Sequence, residues 1–310
     1  MSVVSLQGVT KRYGDTRAVD DVSFDLHENR IHGLLGRNGA GKSTVMRMLT
    51  GQEVPTSGRI RVFGENPYEN ADVLHRVCFI KESQRYPDIF IARHALEAAA
   101  LVFPNWDQDF ADRLVDEFRL PLKQRVRKLS RGQLSAVGVI IGLAARAPVT
   151  LFDEPYLGLD AVARQAFYDH LIADYTEHPR TIVLSTHLID EVADIIEHVT
   201  VIDRGRIVMD DSSENLRSQA VTVSGPTKAV EQFSDGHDVL HREDLGGFTR
   251  VLVAGVPSER ETASLQVEPV SLQQLVVRTT QFHDAALAGA GTGNGLGNGT
   301  GTGTGKGDRS

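Results

Sequence analysis

The amino-acid sequence predicts an α/β fold with a mostly parallel core sheet. Short apolar runs typical of buried strands lie at residues 31–35 and 149–152, and a β-rich run follows at 181–185. Helix-like stretches follow the first two runs, at residues 42–49 and 164–175. Strands that alternate with helices are typical of a parallel sheet covered by helices on its faces.

Apolar periodicity predicts the other elements. Val22, Phe24 and Leu26 alternate with polar residues, as in a half-buried strand. Residues 107–119 carry an apolar helical stripe. Further strands are predicted over 60–63, 77–80, 199–203 and 206–209, and a further helix over 191–197. The last two strands are predicted to form a hairpin around Arg204 and Gly205.

Three regions of the chain differ in composition. Residues 1–216 carry the alternating strands and helices and are predicted to form one domain. Residues 217–285 contain short strand-like and helix-like runs with many polar breaks, so we expect a small accessory α+β domain there. Residues 286–310 are mostly Gly, Thr and Asn, and we expect a disordered tail because this composition buries too little apolar surface to offset chain entropy.

Composition and charge restrict the class of protein. The chain has 310 residues, of which 41% are apolar and 24% charged, as in ordinary globular domains. The formal net charge of -8 argues against a broad nucleic-acid surface, because phosphate backbones are bound by clustered Lys and Arg. Cys78 is the single cysteine, so no intrachain disulfide forms and a reducing compartment is expected.

Neither a secretory signal nor a membrane span is expected. Residues 1–9 contain no basic segment followed by an apolar stretch. The longest run without charged or strongly polar residues is 136–145, whereas a helix that crosses a bilayer needs about 20 residues. If the protein works at a membrane, we expect other polypeptides to supply the membrane part.

Residues 36–43 (GRNGAGKS) fit the phosphate-loop pattern G-x-x-x-x-G-K-[ST]. The glycines allow backbone N–H groups to face phosphate oxygens, and the start of the following helix adds a favourable dipole. Lys42 is expected to reach the outer phosphates, and the Ser43 hydroxyl to ligate Mg²⁺. The expected nucleotide-binding residues here are Gly36, Asn38, Gly39, Gly41, Lys42, Ser43 and Thr44.

A second set of candidate residues ends the strand predicted over 149–152. Asp153 and Glu154 follow it directly, where a parallel sheet presents its functional groups. Asp153 is expected to hold Mg²⁺, directly or through water. Glu154 is expected to polarise the attacking water as a general base.

Four further motifs occur in a characteristic order. They are KRYG at residues 11–14, LSRGQ at 129–133, GLD at 158–160 and STH at 185–187. Together with the phosphate loop and the Asp-Glu strand, this ordered set resembles the ATP-binding-cassette (ABC) family of ATP-binding subunits over residues 3–215. The resemblance implies a P-loop NTPase cassette with a mostly parallel core sheet, an antiparallel β subdomain and a helical subdomain, followed here by a small C-terminal α+β extension.

The resemblance also implies roles for residues in these motifs. Tyr13 is expected to place its ring against adenine. His187 is expected to contact the γ-phosphate beside Glu154. The segment LSRGQ resembles the family's signature motif, and the segment GLD resembles its D-loop. The nucleotide-binding residues implied in these two segments are Ser130, Gly132, Gln133 and Asp160.

Three segments depart from the family pattern or leave alternatives open. Arg131 stands where the signature has its second glycine, which indicates a divergent branch. The loop that the family calls the Q-loop should follow the strand predicted over 77–80. Side-chain chemistry favours Gln84 as its metal-facing residue, whereas counting from the end of the strand favours Glu82. The basic residues Lys123, Arg125, Arg127, Lys128 and Arg131 form either a solvated face or a surface near the phosphates of an opposing subunit.

The resemblance finally implies an assembly. Because the chain has one phosphate loop and one signature, each subunit is expected to complete the other's site in a homodimer or a heterodimer with another ABC ATPase subunit, with two ATP between them. Residues 103–107 and 185–191 resemble a bacterial exporter-type (ABC-2-like) branch. We therefore expect a motor that drives substrate export through a separate multi-span transmembrane permease, docked around residues 85–125, at the cytoplasmic face of the cell membrane.

Other functions are considered beside transport. A soluble ABC ATPase acting on nucleic acid or the ribosome is the main alternative; relatives of that kind usually carry tandem cassettes or long insertions, and this chain is acidic. A small-molecule kinase would not need the signature motif or His187, which stands at the position of the family's switch histidine. A non-enzymatic ATP-binding regulator would not need Glu154 and His187.

Overall fold

The computed structural model describes residues 1–82, 84–255, 257–258, 262 and 265–277. The strands in this part of the chain are β1 (Ser2–Tyr13), β2 (Thr16–His27), β3 (Ile31–Leu35), β4 (Ser57–Val62), β5 (Val77–Lys81), β6 (Val149–Asp153), β7 (Thr181–Thr186), β8 (His198–Asp203), β9 (Arg206–Ser212), β10 (Ala220–Pro226), β11 (Val239–Leu245), β12 (Phe248–Ala254) and β13 (Gln266–Pro269).

The helices in the same part of the chain are α1 (Lys42–Leu49), α2 (Ala71–Leu74), α3 (Ala92–Val102), α4 (Gln108–Glu117), α5 (Arg131–Ala144), α6 (Ala161–Glu177), α7 (Ile189–Val192), α8 (Ser213–Ser218) and α9 (Thr227–Ser234). Residues 272–277 are also helical. The tail predicted over residues 286–310 lies outside the described residues, as does the end of the predicted accessory domain, residues 278–285.

The core sheet has six strands in the order β5-β6-β7-β3-β8-β9. All neighbouring strands run parallel except β8 and β9, which form the predicted hairpin. Asp153 at the end of β6 pairs with Ser185 of β7, and Leu35 at the end of β3 pairs with Thr186. The carboxyl ends of these strands therefore meet at one edge, where open α/β sheets bind their ligands.

A second, antiparallel sheet has the order β2-β1-β4. Alternate residues of its strands, among them Leu6 and Leu26, are buried and share a core cluster with Val45 and Met46 of α1. The same cluster includes Leu151 of β6. Helix α1, which begins in the phosphate loop, is therefore held between the antiparallel sheet and the core sheet.

Helices α3, α4 and α5 form the helical region of the cassette. Leu96 of α3 and Leu114 of α4 pack in one cluster with Ile140 of α5. The apolar run 136–145 is thus largely a buried helix, and a Cβ atom on Gly142 would lie 2.4 Å from the ring of Phe152, which shows how closely α5 approaches β6. In the described residues, no helix combines the length and apolarity needed to cross a membrane.

A third sheet lies in the C-terminal part, in the order β11-β12-β10-β13, and all its pairs are antiparallel. Alternate residues face opposite sides of a strand. Val251 of β12 packs with Val230 and Phe233 of α9 in a cluster of its own, whereas Leu252 joins the main core cluster together with Leu275. One face of this sheet therefore forms a separate core with α9, and the other face packs toward the rest of the chain.

The predicted helix over residues 191–197 is wrong. Only Ile189–Val192 is helical, and residues 193–195 form a turn. The backbone N–H of Glu197 donates to Ile31 O at 2.9 Å, and Glu197 Oε1 accepts from the backbone N–H of Ile31 at 3.1 Å. Ile196 also packs against Gly33. These contacts tie Glu197 to β3, and its backbone N–H therefore bonds across to Ile31 instead of along a helix.

Candidate functional site

The phosphate loop needs glycine at two positions for steric reasons. Gly36 has φ 149°, and a Cβ atom there would lie 2.1 Å from Ile202 O. Gly41 has φ 114°, and a Cβ atom there would lie 2.6 Å from Ala18 O. Left-handed backbone conformations of this kind are open to glycine at little cost. The loop therefore turns between β3 and α1 in close contact with neighbouring backbone.

Lys42 is the buried cation of the loop, with 6% of its surface exposed. Its Nζ donates to the carbonyl oxygens of Gly36 at 2.7 Å and Arg37 at 3.2 Å. Burial lowers the pKa of Lys42, and the nearby carboxylates of Glu154 and Asp153 partly oppose that shift. An anionic ligand at this position would supply the full counter-charge that two neutral carbonyls do not.

The phosphate loop and the end of β6 enclose a cavity of about 280 Å³. The residues that line it are Ala18, Asn38, Gly39, Ala40, Gly41, Lys42, Ser43, Thr44, Glu82, Asp153 and Glu154. The structure thus brings together most of the loop residues predicted to bind nucleotide and both predicted carboxylates. This cavity is not lined by Tyr13, Gln84, His187 or the signature residues.

Asp153 and Glu154 are both buried, each with 7% of its surface exposed. Asp153 Oδ1, Glu154 Oε1 and Ser185 Oγ have no hydrogen-bond partner among the described residues. Buried polar atoms are rarely left unpaired in folded proteins, so such atoms point to a missing ligand, ion or water. The Ser43 hydroxyl and the free oxygen of Asp153 are oxygen donors of the kind Mg²⁺ prefers. The donor set in this cavity therefore fits Mg²⁺.

Glu154 follows the end of β6 in an unusual backbone conformation. Its φ of 51° is left-handed, and its backbone N–H donates to Ser185 O at 3.1 Å. His187 Nδ1 lies 2.9 Å from Glu154 Oε2. The structure therefore brings the predicted base and the predicted switch histidine into direct contact, although they are 33 residues apart in sequence.

Tyr156 is part of the same cluster and was not predicted. Its hydroxyl contacts Glu154 Oε2, Thr186 Oγ1 at 2.7 Å and His187 Nδ1 at 3.2 Å. A tyrosine two residues after a catalytic-type carboxylate is a weak signal in sequence, because buried tyrosines usually find some hydrogen-bond partner whatever their role. The hydrogen bonds to Thr186 and His187 arise from the pairing of β6 with β7.

Of the two Q-loop candidates, the structure places Glu82 and not Gln84 at the cavity. Glu82 Oε1 also accepts a hydrogen bond from Arg131 Nη2 at 2.8 Å. Gln84 lies beyond the strand end, and its Oε1 is buried with no hydrogen-bond partner among the described residues. Counting from the strand end thus locates the side chain better than matching its chemistry does.

Tyr13 lies at the end of β1, with 44% of its surface exposed. Its hydroxyl donates to Glu53, which also pairs with Arg47 at 2.7 Å. Lys11 Nζ lies 5.2 Å from the centre of the Tyr13 ring. The ring is therefore held by a small charged network on the surface and leaves part of its area open to a ligand.

The signature residues form a second concave surface at the start of α5. Ser130 caps this helix: its Oγ accepts from Gln133 N at 3.2 Å, while Gln133 Oε1 accepts from Ser130 N at 3.0 Å. A Cβ atom on Gly132 would lie 2.6 Å from Gly158 O, so the signature packs tightly on the segment GLD. This surface is lined by Phe118, Ser130, Arg131, Gly132, Gln133, Ala136, Gly158, Leu159, Asp160 and Ala163.

Asp160 has a structural partner in this subunit. Its Oδ1 accepts from Ala163 N at 2.8 Å and caps α6. Within the part of the chain that the structure describes, no residue lines both the phosphate-loop cavity and the signature surface. The chain therefore carries two separate half-sites, each with residues predicted to bind nucleotide.

The basic residues before the signature lie along an open groove of about 1050 Å³. Its cationic side chains are Arg93, Arg119, Lys123, Arg125 and Lys128, and Asp116 is the acidic one. Among the described residues, none of these cations forms an ion pair. Arg131 is not part of the groove because it turns toward Glu82.

Comparison with known proteins identifies the family. The family model described as ABC transporter matches residues 19–157. The bacitracin transport ATP-binding protein BcrA of Bacillus licheniformis is 30% identical over 261 residues, which cover 81% of this chain and 85% of that protein. The chain belongs to the ABC transporter ATP-binding family. A second relative is the Nod factor export ATP-binding protein I of Ralstonia nicotianae, 31% identical over 305 residues, which cover 90% of this chain and 94% of the relative.

Solved structures show the same fold. An ATP-binding subunit of an ABC transporter has a TM-score of 0.63 at 23% identity and covers 70% of this chain and 92% of its own. A dimeric bacterial ABC transporter cassette has a TM-score of 0.60 at 20% identity, over 68% of this chain and 98% of its own. The predicted α/β cassette fold is thus confirmed. As an ABC ATP-binding subunit, the chain binds and hydrolyses ATP, and subunits of this kind dimerise and work with transmembrane permeases.

Proposed function

We propose that this chain is the motor of an exporter and drives substrate through a separate multi-span permease by closing an ATP-bound dimer. The observation that carries the dimer mechanism is that, among the described residues, the phosphate-loop cavity and the signature surface are lined by two different sets of residues of one chain. Two relatives named for bacitracin transport and Nod factor export support the exporter assignment.

In the proposed nucleotide site, the phosphate loop holds the phosphates and Lys42 contacts their outer oxygens. Tyr13 packs on the adenine ring. Ser43 and Asp153 would hold Mg²⁺, which would supply positive charge to neutralise the bound phosphates. The buried, unpaired Asp153 Oδ1 supports this assignment. Since Glu82 and not Gln84 lines the cavity, Glu82 takes the Q-loop position in this proposal.

In the proposed reaction, Glu154 accepts a proton from the attacking water through its unpaired Oε1. His187 holds the other carboxylate oxygen by its Nδ1 and contacts the γ-phosphate beside Glu154. Lys42 stabilises the negative charge that develops as the phosphoryl group is transferred. The 2.9 Å contact between His187 and Glu154 supports this pairing of roles.

Dimer closure supplies the remaining donors. The ATP bound by one subunit meets the start of α5 of the other subunit with its γ-phosphate. The residues that face it there are Ser130, Gly132 and Gln133, and the backbone N–H groups and helix dipole at this position favour an anion. Asp160 lies beside them on the same surface. ATP binds the closed dimer better than separate subunits, so hydrolysis releases the closure. The second subunit is either another copy of this chain or a related ABC ATPase subunit.

The permease is proposed to dock on the helical region around residues 85–125. Ile89 is an apolar residue with 80% of its surface exposed, next to the cationic groove. Two backbone hydrogen bonds join the two sides of this surface. Val126 N donates to Phe90 O at 2.9 Å, and Ala92 N donates to Gln124 O at 3.0 Å. Docking there would place the chain at the cytoplasmic face of the membrane.

We also propose that residues 217–285 form an accessory domain after the cassette of residues 1–216. The separate four-stranded sheet and the separate core that it forms with α9 support this division. Leu216, Leu252 and Leu275 all pack in the main core cluster, so the accessory domain lies against the cassette.

The exporter proposal is tested by co-expressing the full chain with the multi-span protein that a neighbouring gene encodes and extracting membranes in mild detergent. We expect the two to purify together, and charge reversal at Arg125 and Lys128 to reduce recovery, while reversal at the distant Lys228 leaves it unchanged. Tight association with RNA or ribosomes without a membrane partner would contradict the proposal and favour a soluble ABC ATPase.

A further inference from the structure

A buried tyrosine joins the two residues proposed for catalysis. Tyr156 has 2% of its surface exposed, and its hydroxyl contacts Glu154, Thr186 and His187. It does not line the nucleotide cavity. Any effect of Tyr156 on the reaction must therefore pass through the residues it holds.

The direction of each hydrogen bond follows from the groups involved. Thr186 Oγ1 accepts from the backbone N–H of Leu188 at 2.9 Å, so its own proton is free for Tyr156. An ionised carboxylate only accepts, so the Tyr156 hydroxyl donates to Glu154 Oε2 and His187 Nδ1 donates to the same oxygen. The backbone N–H of Leu188 thus fixes the Tyr156 proton through Thr186.

The two oxygens of Glu154 are consequently different. Oε2 has two donors, whereas Oε1 is buried without a hydrogen-bond partner among the described residues. Burial and the contact with Glu154 raise the pKa of Tyr156, so the tyrosine remains a donor at physiological pH. One oxygen is anchored and the other is left for a water molecule.

We propose that Tyr156 is a positioning residue for ATP hydrolysis: its hydroxyl anchors Glu154 Oε2 beside His187, so that Oε1 of Glu154 is directed to the attacking water. This inference rests on the proposed role of Glu154 as general base. Misplacement of a reacting group by about 1 Å costs up to ~100-fold in rate. Nucleotide affinity is expected to be independent of Tyr156, because the phosphate loop and not the tyrosine lines the cavity.

The experiment measures kcat and KM for ATP hydrolysis by the purified full chain. Tyr156→Phe removes the hydroxyl and keeps the ring. Tyr168→Phe is the matched control, because Tyr168 is also buried and its hydroxyl has no hydrogen-bond partner among the described residues. We expect Tyr156→Phe to lower kcat by about ten- to hundred-fold, with KM for ATP changed by less than about two-fold, and Tyr168→Phe to retain both.

A double variant separates positioning from a general structural effect. In the Glu154→Gln background, Tyr156→Phe should cause no further loss of the residual rate, since its target is already disabled. A further ten-fold loss there would overturn the inference, as would a kcat for Tyr156→Phe within two-fold of the unmodified protein.

Two results keep the test decisive. If Tyr156→Phe does not fold, Thr186→Val removes the hydroxyl that orients the tyrosine, and an unchanged kcat in that variant would overturn the inference. If Glu154→Gln hydrolyses ATP at the full rate, the proposed base is wrong. If Glu154→Gln is inactive while Tyr156→Phe is fully active, only the role of Tyr156 fails.

Discussion

The guanidinium of Arg131 lies 2.8 Å from Oε1 of Glu82, and this contact joins the signature segment to the nucleotide cavity of the same subunit. Arg131 stands where the family's signature has a second glycine. The ion pair therefore gives this chain a link between its two half-sites that a glycine would not provide.

Removing this ion pair should affect nucleotide binding more than stability. The side chains of Arg131 and Glu82 are 68% and 45% exposed, and such pairs contribute about 0–1 kcal/mol. Arg131→Ala leaves an uncompensated carboxylate in the cavity, so we expect KM for ATP to rise by about two- to five-fold. Glu82→Gln in the same chain removes the carboxylate charge but keeps a side chain of the same length at the Q-loop position, so it should restore KM, and Arg127→Ala is the control. Persistence of the higher KM in the double variant would contradict this interpretation.

Lys42→Ala should weaken ATP binding by at least about ten-fold. The variant removes the buried cation that faces Asp153 and Glu154 across the cavity, and charge-assisted hydrogen bonds of this kind contribute about 1.5–3 kcal/mol. Titration with a fluorescent ATP analogue measures the affinity. Lys228→Ala, on the exposed face of α9, is the control. If the Lys42 variant bound ATP as tightly as the unmodified protein, the assignment of the phosphate loop to the nucleotide site would be wrong.

A buried ion cluster makes Asp174 important for stability. Its Oδ1 accepts from Arg146 at 2.7 Å and its Oδ2 from Arg180 at 2.7 Å, and Arg180 is itself 4% exposed. Asp174→Asn leaves Arg180 buried without its counter-charge, which costs about 3–5 kcal/mol. Urea unfolding should show this loss, whereas Asp169→Asn on the same helix should cost less than about 0.5 kcal/mol. A midpoint equal to that of the unmodified protein would show that Arg180 finds another partner.

His32 should make stability fall in mild acid. Burial lowers the pKa of His32 from 6.5 to about 4, and the rings of His27 and His198 lie near it. A lowered histidine pKa means that the folded state favours the neutral form. This contribution is complete above pH 6.5 and is lost as the pH falls from 6.5 toward 4, by up to about 3 kcal/mol.

The check is chemical unfolding between pH 7 and pH 4. We expect His32→Gln to be less stable at pH 7 but to show a smaller decrease across this range than the unmodified chain. His94→Gln, an exposed histidine on α3, serves as the control. An identical pH slope in the His32 variant would assign the acid sensitivity to other groups.

The sequence allowed much of the core to be predicted because local signals agreed with the final contacts. Strand β3 and helix α1 have the predicted bounds, since a buried apolar run, a glycine-rich turn and a helix of regular length follow one another there. The predicted helix at 191–197 was wrong because the hydrogen bonds of Glu197 with Ile31 come from a strand distant in sequence.

Individual residues of the candidate site could be predicted only where neighbouring site residues all belong to one short sequence motif. The phosphate loop is such a case. Tyr156 could not be predicted, because its partners Thr186 and His187 lie about 30 residues away on the neighbouring strand. Between Glu82 and Gln84, counting from the end of the strand predicted over 77–80 favoured the residue that lines the cavity, whereas matching the chemistry did not.

The mass of the Glu154→Gln variant in the presence of ATP tests the central claim most directly. The variant should bind ATP but turn it over at least about 100-fold more slowly, and light scattering should show twice the mass of one chain with ATP and a single chain without it. Combining it with Gly132→Asp, which places a bulky anion on the signature surface, should abolish the dimer. A chain that remains monomeric with ATP, and hydrolyses ATP at the full rate when Gly132→Asp is introduced alone, would contradict the proposed shared site.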